Sequence, residues 1–296
     1  MSAITIKCIS LKNYLQFRSA TINFNSAPDR NIVVIEGPGG SGKSNLVSAL
    51  TWCLFGATHQ PFVAPEFRQL CNSKVFSKLK PSSSAEIRVD ILLDTPKGQV
   101  KVSRSIAARR SSSGAELLDN RSMKFTAALH TKTGWRTIQS PKKMIAGFFP
   151  PAIRPISFVN AMNFQDMLAP HPFVRFRGDD AAPKYYSAGE VVCAGYQALL
   201  ALRKIAGVAG PLVIDSPFQL LPTALRNGIV SMLETEFKDS QLILLVNWGE
   251  CSKEMLSTLS PKISAMPYIK SSISGKASTI CSAMPGVSAR FTRRIP

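Results

Sequence analysis

The sequence predicts an α/β fold: a mixed sheet with flanking helices, joined to an antiparallel β subdomain and a helical lobe. Three observations predict it. An apolar, β-branched run at residues 32–36 (IVVIE) passes through a glycine-rich turn into a helix-forming stretch, the pattern of a buried strand followed by a helix. Residues 85–93 (AEIRVDILL) and 99–106 (QVKVSRSI) alternate apolar and polar, as half-exposed antiparallel strands do. Short apolar runs at 212–214 and 242–246 are separated by a helical pattern over 223–237 and preceded by a longer one over 188–205.

Each element follows in chain order. Residues 3–11 and 20–24 read as two strands around a bend at 13–18, and residues 46–55 as the helix after the glycine-rich turn. The pattern changes from about 61 to 140, where the alternating strands lie. The SSSG at 111–114 is expected at a loop tip, and 125–129 with 135–138 as a hairpin around Gly134. Residues 156–164 read as a buried strand ahead of Gln165. Residues 168–184 are rich in proline, glycine and charge and read as a linker. The long helix stops at Gly207, and residues 260–296 are Ser-, Lys- and Pro-rich with weak periodicity, a basic tail expected to be partly disordered. The division expected is 1–167 as an N-terminal lobe, 168–184 as linker, 185–259 as a C-terminal lobe, and 260–296 as tail.

Composition narrows the function classes. The chain has 296 residues and 45% hydrophobic content, enough for an ordered core. No apolar stretch has the length of a membrane span. The N-terminus lacks a basic-then-apolar leader, so a cytoplasmic chain without membrane association is expected. Six scattered cysteines without C-x-x-C spacing read as reduced thiols rather than a metal or redox centre. Lys+Arg 36 against Asp+Glu 18 gives a formal charge of +18, a field that attracts polyanions. Residues 68–143 hold sixteen Lys/Arg and five Asp/Glu, densest at Lys74, Lys78, Lys80, Arg104, Arg109, Arg110, Lys142 and Lys143. Arg290, Arg293 and Arg294 add to the tail. A contact surface for the DNA backbone is the expected use of this charge, against a merely solvated face.

The most chemical segment is GPGGSGKSN: Gly37, Pro38, Gly39, Gly40, Ser41, Gly42, Lys43, Ser44 and Asn45. Four glycines and a proline let the backbone turn tightly and approach an anion. Lys43 brings a positive charge to β/γ-phosphates, and the Ser44 hydroxyl suits Mg²⁺. The helix that follows supplies N-terminal amides to the same anion. Binding of ATP with Mg²⁺ is the expectation.

Five segments in order now support a resemblance: residues 9–24 (ISLKNYLQFRSATINF), GPGGSGKS, 158–166 (FVNAMNFQD), 185–190 (YYSAGE) and 211–218 (PLVIDSPF). Up to about residue 256 the chain resembles the head domain of an ABC-type ATPase of the SMC superfamily, as in the double-strand-break-repair ATPase and the DndD-like proteins of bacterial DNA-modification defence. The resemblance implies that Gln165 senses Mg²⁺ and water, and that Asp215 orients Mg²⁺. It implies that Ser187, Gly189 and Glu190 belong to a signature motif serving the nucleotide of an opposite protomer. A homodimer around two ATPs is then expected, acting on DNA in repair or anti-phage defence.

Departures from the family pattern temper the expected turnover. The water-activating glutamate that usually follows Asp215 is Ser216, which is no general base at neutral pH. The D-loop aspartate position is Pro222, and the switch histidine position is Asn247, which can hydrogen-bond a γ-phosphate but cannot become cationic. Slow ATPase activity is expected, with Gln165, Asn247 or Glu250 as water-positioning groups and Lys43, Gln165, Asp215 and Asn247 as the catalytic set. The alternative is a hydrolysis-poor switch that senses ATP and signals to a partner nuclease or effector subunit. An ATPase subunit of a transporter fits the basicity poorly. Only twenty residues separate Asp166 from Ser187, too few for the family's coiled-coil arm.

Overall fold

A computed structural model describes residues 4–24, 27, 29–56, 69–81, 83–164, 187–271 and 278–281. Two sheets enclose one helix. The first is antiparallel and contains β1 (Thr5–Tyr14), β2 (Phe17–Asn23), β4 (Ser84–Thr95), β5 (Gly98–Arg110), β6 (Glu116–Thr131) and β7 (Gly134–Thr137), in the order β2-β1-β4-β5-β6-β7. The second contains β3 (Ile32–Gly37), β8 (Phe158–Asn160), β9 (Leu212–Asp215), β10 (Leu242–Asn247), β11 (Ile263–Ala265), β12 (Tyr268–Ser271) and β13 (Ser278–Cys281). Its order is β13-β12-β3-β10-β9-β8, with β11 also pairing β3. All its pairs are parallel except β12 with β13. The mixed α/β architecture and the antiparallel subdomain expected from sequence are both present.

The uninterrupted apolar runs of β3, β9 and β10 follow from burial on both faces. Successive side chains of a strand point to opposite faces. Val33, Ile35, Val213, Ile243 and Leu245 therefore join the core shared with the antiparallel sheet. Ile32, Val34, Ile214, Leu242 and Leu244 join a second core beneath the helices. Between the sheets lies α1 (Lys43–Phe55), with Leu46, Val47, Ala49, Leu50, Trp52, Cys53 and Leu54 all buried. A helix apolar around its circumference is a buried helix.

The second core is covered by α4 (Ala188–Ile205), α5 (Thr223–Glu236) and α6 (Lys253–Leu259). The shorter α2 (Ser73–Phe76) and α3 (Pro141–Phe148) flank the antiparallel sheet. Tyr14 anchors that sheet to α1 by stacking on Trp52 at 5.5 Å and sharing a 3.0 Å hydrogen bond with Ser48 Oγ. Among the described residues, Cys53, Cys71 and Cys251 are buried thiols, and desolvation pushes Cys71 and Cys251 up to about 12.

Three expectations are corrected. The strand read at 156–164 is only Phe158–Asn160, because the Asn160 side chain accepts from Met162 N at 2.9 Å and turns the chain into a 3-10 segment, Ala161–Asn163. The segment read as a basic, partly disordered tail without clear periodicity contributes β11, β12 and β13, each three or four residues long. Buried Ile263 and Ile269 hold these strands beside β3. The hairpin expected around Gly134 is present as β6 paired with β7, its first strand extending back over 16 residues. Arg104, counted with the surface charge, is 5% exposed. Its Nε donates to Cys53 O at 3.1 Å and its guanidinium covers the Phe125 ring at 4.2 Å. It caps the end of α1, where a cation also favours the helix dipole. The SSSG segment does form the β5–β6 tip, with Gly114 at φ 86°.

Candidate functional site

Strand β3 ends at Gly37 and α1 begins at Lys43, so the glycine-rich loop sits where a buried strand delivers the chain to a helix N-terminus. Its shape needs glycine at two points. Gly40 and Gly42 have φ of 72° and 102°, a region that side chains rarely enter. Lys43 Nζ folds back over the loop, donating to the carbonyls of Gly37 at 2.8 Å and Pro38 at 2.9 Å. Burial lowers its pKa, while Asp215, Glu250 and Glu36 act in the opposite direction.

Asp215 ends β9 and is almost fully buried. It accepts a hydrogen bond from the Ser44 side chain, and desolvation raises its pKa. Its Oδ1 has no partner. A buried carboxylate oxygen without a partner is costly. A divalent cation shared with the Ser44 hydroxyl would satisfy it, so these two residues fit Mg²⁺.

Lys43, Ser44, Asn45 and three of the loop glycines, Gly39, Gly40 and Gly42, line a cleft of about 390 Å³ with Asp215, Ser216 and Asn247. The structure therefore brings together most of the residues singled out around the phosphate loop. Gln165 lies outside the described residues, and its neighbour on the sequence side, Phe164, is buried against Tyr196 at 4.9 Å. The cleft is also lined by Gln16, Asn160, Met162 and Gln219, none of which sequence reasoning found. Gln16 and Asn160 lay inside segments already quoted, but a lone amide there carries no local signal.

Ser216, in place of the usual glutamate, is in the left-handed region at φ 53° and donates its amide to Leu245 O at 3.1 Å. Such backbone positions cluster at functional sites. Asn247 Nδ2 reaches Gln219 Oε1 at 3.5 Å. Glu250, expected among the water-positioning groups, has another role. Its Oε1 accepts from Phe218 N at 2.7 Å and its Oε2 from Asn247 N at 2.6 Å. It ties the turn after β9 to the turn after β10, and burial raises its pKa despite these bonds.

Ser187 caps α4 in a reciprocal box with Glu190. Ser187 Oγ accepts from Glu190 N at 3.3 Å, and Glu190 Oε2 accepts from Ser187 N at 2.8 Å. These bonds hold the Glu190 carboxylate below its usual pKa. Gly189 packs against Pro222, where a Cβ would stand 2.9 Å from the proline ring. Ser187 is exposed, and none of Ser187, Gly189 and Glu190 lines the cleft of its own chain.

The basic surface is smaller than the count suggests. Lys74, Lys78, Lys80, Lys142 and Lys143 are exposed. Arg109 pairs with Asp119 at 3.0 Å, and Arg110 donates to the carbonyls of Ser77 and Leu79. Arg68, Arg290, Arg293 and Arg294, with the linker at 168–184, lie outside the described residues. No helix of the described residues is long and apolar enough to cross a membrane.

Residues 8–143 match the family model of an AAA domain. No curated protein matches in sequence. Solved structures match over nearly the whole chain. The SMC head domain from Thermotoga maritima has a TM-score of 0.53 at 16% identity, covering 96% of this chain and all 100% of that one. An SMC head bound to the C-winged helix domain of ScpA gives 0.55 at 15% identity, covering 96% of this chain and 99% of that one. An SMC head with an extended coiled coil, bound to the C-terminal domain of ScpA derived from Pyrococcus furiosus, gives 0.52 at 11% identity, with coverage of 98% and 99%. The fold is that of these SMC head domains.

Proposed function

From this fold and this cleft, we propose that the chain binds ATP with Mg²⁺ and dimerises around two ATPs, hydrolysing them slowly while acting on DNA in repair or anti-phage defence. One observation carries the reading: Lys43, Ser44 and the unpartnered Oδ1 of Asp215 converge on one cleft at the mouth of a phosphate loop. Ser44 and Asp215 would hold Mg²⁺, which supplies neutralising charge to phosphate oxygens when bound. The loop amides and the start of α1 orient the phosphates. Lys43 exchanges its bonds to the Gly37 and Pro38 carbonyls for the β/γ-phosphates. Asn247, level with Gly37 on the neighbouring strand, offers a neutral hydrogen-bond donor to the cleft. The Ser187 cap, exposed and not lining its own cleft, suits the γ-phosphate of a second copy.

Slow chemistry follows from the same geometry. Ser216 cannot take a proton from water at neutral pH, and both oxygens of Glu250 are held by backbone amides. Those two facts favour the second reading, a switch that senses ATP, hydrolyses negligibly and signals to a partner nuclease or effector. The ScpA domains bound to the solved heads lend support to a protein partner. The exposed lysines of α2 and α3 support contact with a DNA backbone. Steady-state ATP hydrolysis measured with and without duplex DNA separates the readings. Slow turnover stimulated by DNA supports the first; ATP binding with no turnover in either condition supports the switch; no ATP binding refutes both.

A further inference from the structure

The phosphate loop is held open by residues that belong to no nucleotide-binding motif. When the amides of such a loop converge on an anion, its carbonyls must point outward and find donors elsewhere. Lys43 serves the carbonyls of Gly37 and Pro38. Those of Gly40 and Ser41 are served from remote parts of the chain. Gln16, in the turn between β1 and β2, donates Nε2 to Gly40 O at 2.9 Å. Ser278, in β13, donates Oγ to Ser41 O at 2.6 Å.

The two donors are themselves joined, because Ser278 N donates to Gln16 O at 2.9 Å. Gln16 Oε1 accepts from Asn45 Nδ2 at 3.0 Å, which links the same side chain to the first turn of α1. The fit is close. A Cβ on Gly42 would stand 2.5 Å from Gln16 Oε1, and a Cβ on Gly37 would stand 2.9 Å from the carbonyl of Ile269 in β12. Ser278 is 3% exposed, so its bond to Ser41 is shielded from water.

We propose that Gln16 and Ser278 are positioning residues of the phosphate site, and that the C-terminal hairpin β12–β13 holds the loop in its anion-receiving shape before nucleotide arrives. Affinity for nucleotide thereby depends on a residue more than two hundred positions beyond the loop it serves. The hydroxyl of Ser278 fixes the Ser41 peptide, and the amide of Gln16 fixes the Gly40 peptide. Ser41 N closes the turn on Pro38 O at 3.1 Å, and with the Ser41 carbonyl turned outward the Gly42 amide that follows it is left to the ligand. A preorganised cradle avoids the ordering cost on binding.

The proposal rests on this loop binding nucleotide, so wild type and Lys43→Ala are run alongside. Ser278→Ala removes only the bond to Ser41, since the backbone amide still reaches Gln16. Its dissociation constant for a non-hydrolysable ATP analogue with Mg²⁺ should rise about five- to tenfold, the usual weight of one buried hydrogen bond. The melting temperature without ligand should be nearly that of wild type. Ser278→Thr, which keeps the hydroxyl, should restore affinity. Gln16→Met should weaken binding similarly, and the double variant should lose less than the product of the two, because both act on one loop. If Ser278→Ala fails to fold, Gln16→Met and Ser278→Thr decide. Wild-type affinity in Ser278→Ala or Gln16→Met, with a lowered ligand-free melting temperature, overturns the proposal and makes the hairpin a structural tie. If wild type itself binds no nucleotide, the proposed function fails instead.

Discussion

Replacing Lys43 by alanine removes the one cation that closes the phosphate loop. The ammonium is almost fully buried and hydrogen-bonded to two loop carbonyls, with Asp215, Glu250 and Glu36 acting on it. Toward a triphosphate it would make one or two charge-assisted bonds, each worth about 1.5–3 kcal/mol. Losing about 2–4 kcal/mol weakens binding by a factor of roughly 30 to 1,000, at about 1.4 kcal/mol per decade. The fold should tolerate the change. Burial opposes the charged form of Lys43, so its removal relieves a desolvation penalty while losing two hydrogen bonds. Lys43→Met, which keeps the alkyl stem, separates the packing of the chain from the charge. Calorimetric titration with a non-hydrolysable ATP analogue reads the affinity, and thermal melting reads the fold. Wild-type affinity in both variants would refute the assignment of this loop as the phosphate cradle. A collapsed melting temperature in both would make Lys43 a structural residue.

Asp215 yields a pH prediction. Burial raises its pKa, and only the carboxylate form holds Mg²⁺, so Mg²⁺-dependent nucleotide affinity should be full above that pKa and fall as pH drops through it. Asp215→Asn should abolish the Mg²⁺-dependent gain in affinity and with it the pH dependence that wild type shows; identical wild-type pH profiles in titrations with and without Mg²⁺ would contradict this. For DNA, changing Lys78, Lys80, Lys142 and Lys143 to glutamine should flatten the slope of log affinity against log salt by about three to four units. An unchanged slope would leave the charge as a solvated face. Arg104→Gln should leave that slope alone and instead destabilise the fold by about 1–3 kcal/mol, read by denaturant melts, because it uncaps α1 at the Cys53 carbonyl.

Legibility in the sequence followed the range of the interactions. The phosphate loop, the apolar strands β3, β9 and β10 and the helices α1 and α4 were readable because their signals are local: a glycine spacing, a β-branched run, a capping serine three residues before a glutamate. What was missed depends on distant partners. Gln16 and Ser278 are ordinary polar residues until the fold brings them to the Gly40 and Ser41 carbonyls. Strands β11–β13 are too short to show periodicity. In β6, exposed Leu117, Leu118 and Met123 and the register shift opposite Ser105/Ala107 obscure the alternation. Glu250 read as a free carboxylate because nothing local reveals two backbone amides arriving from Phe218 and Asn247. Arg104 read as surface charge because a count of cations carries no information on burial.

The central claim is that each ATP is completed by the signature of a second copy, and mixing two variants tests it most directly. Lys43→Ala keeps a normal Ser187 cap but an impaired cradle, while Ser187→Arg keeps a normal cradle behind a blocked cap. Light scattering with Mg²⁺ and a non-hydrolysable ATP analogue should find each variant monomeric alone. Their equimolar mixture should form a dimer, because one composite site is intact. Wild type that dimerises with the analogue, beside a mixture that stays monomeric or a Ser187→Arg variant that dimerises by itself, would contradict the account.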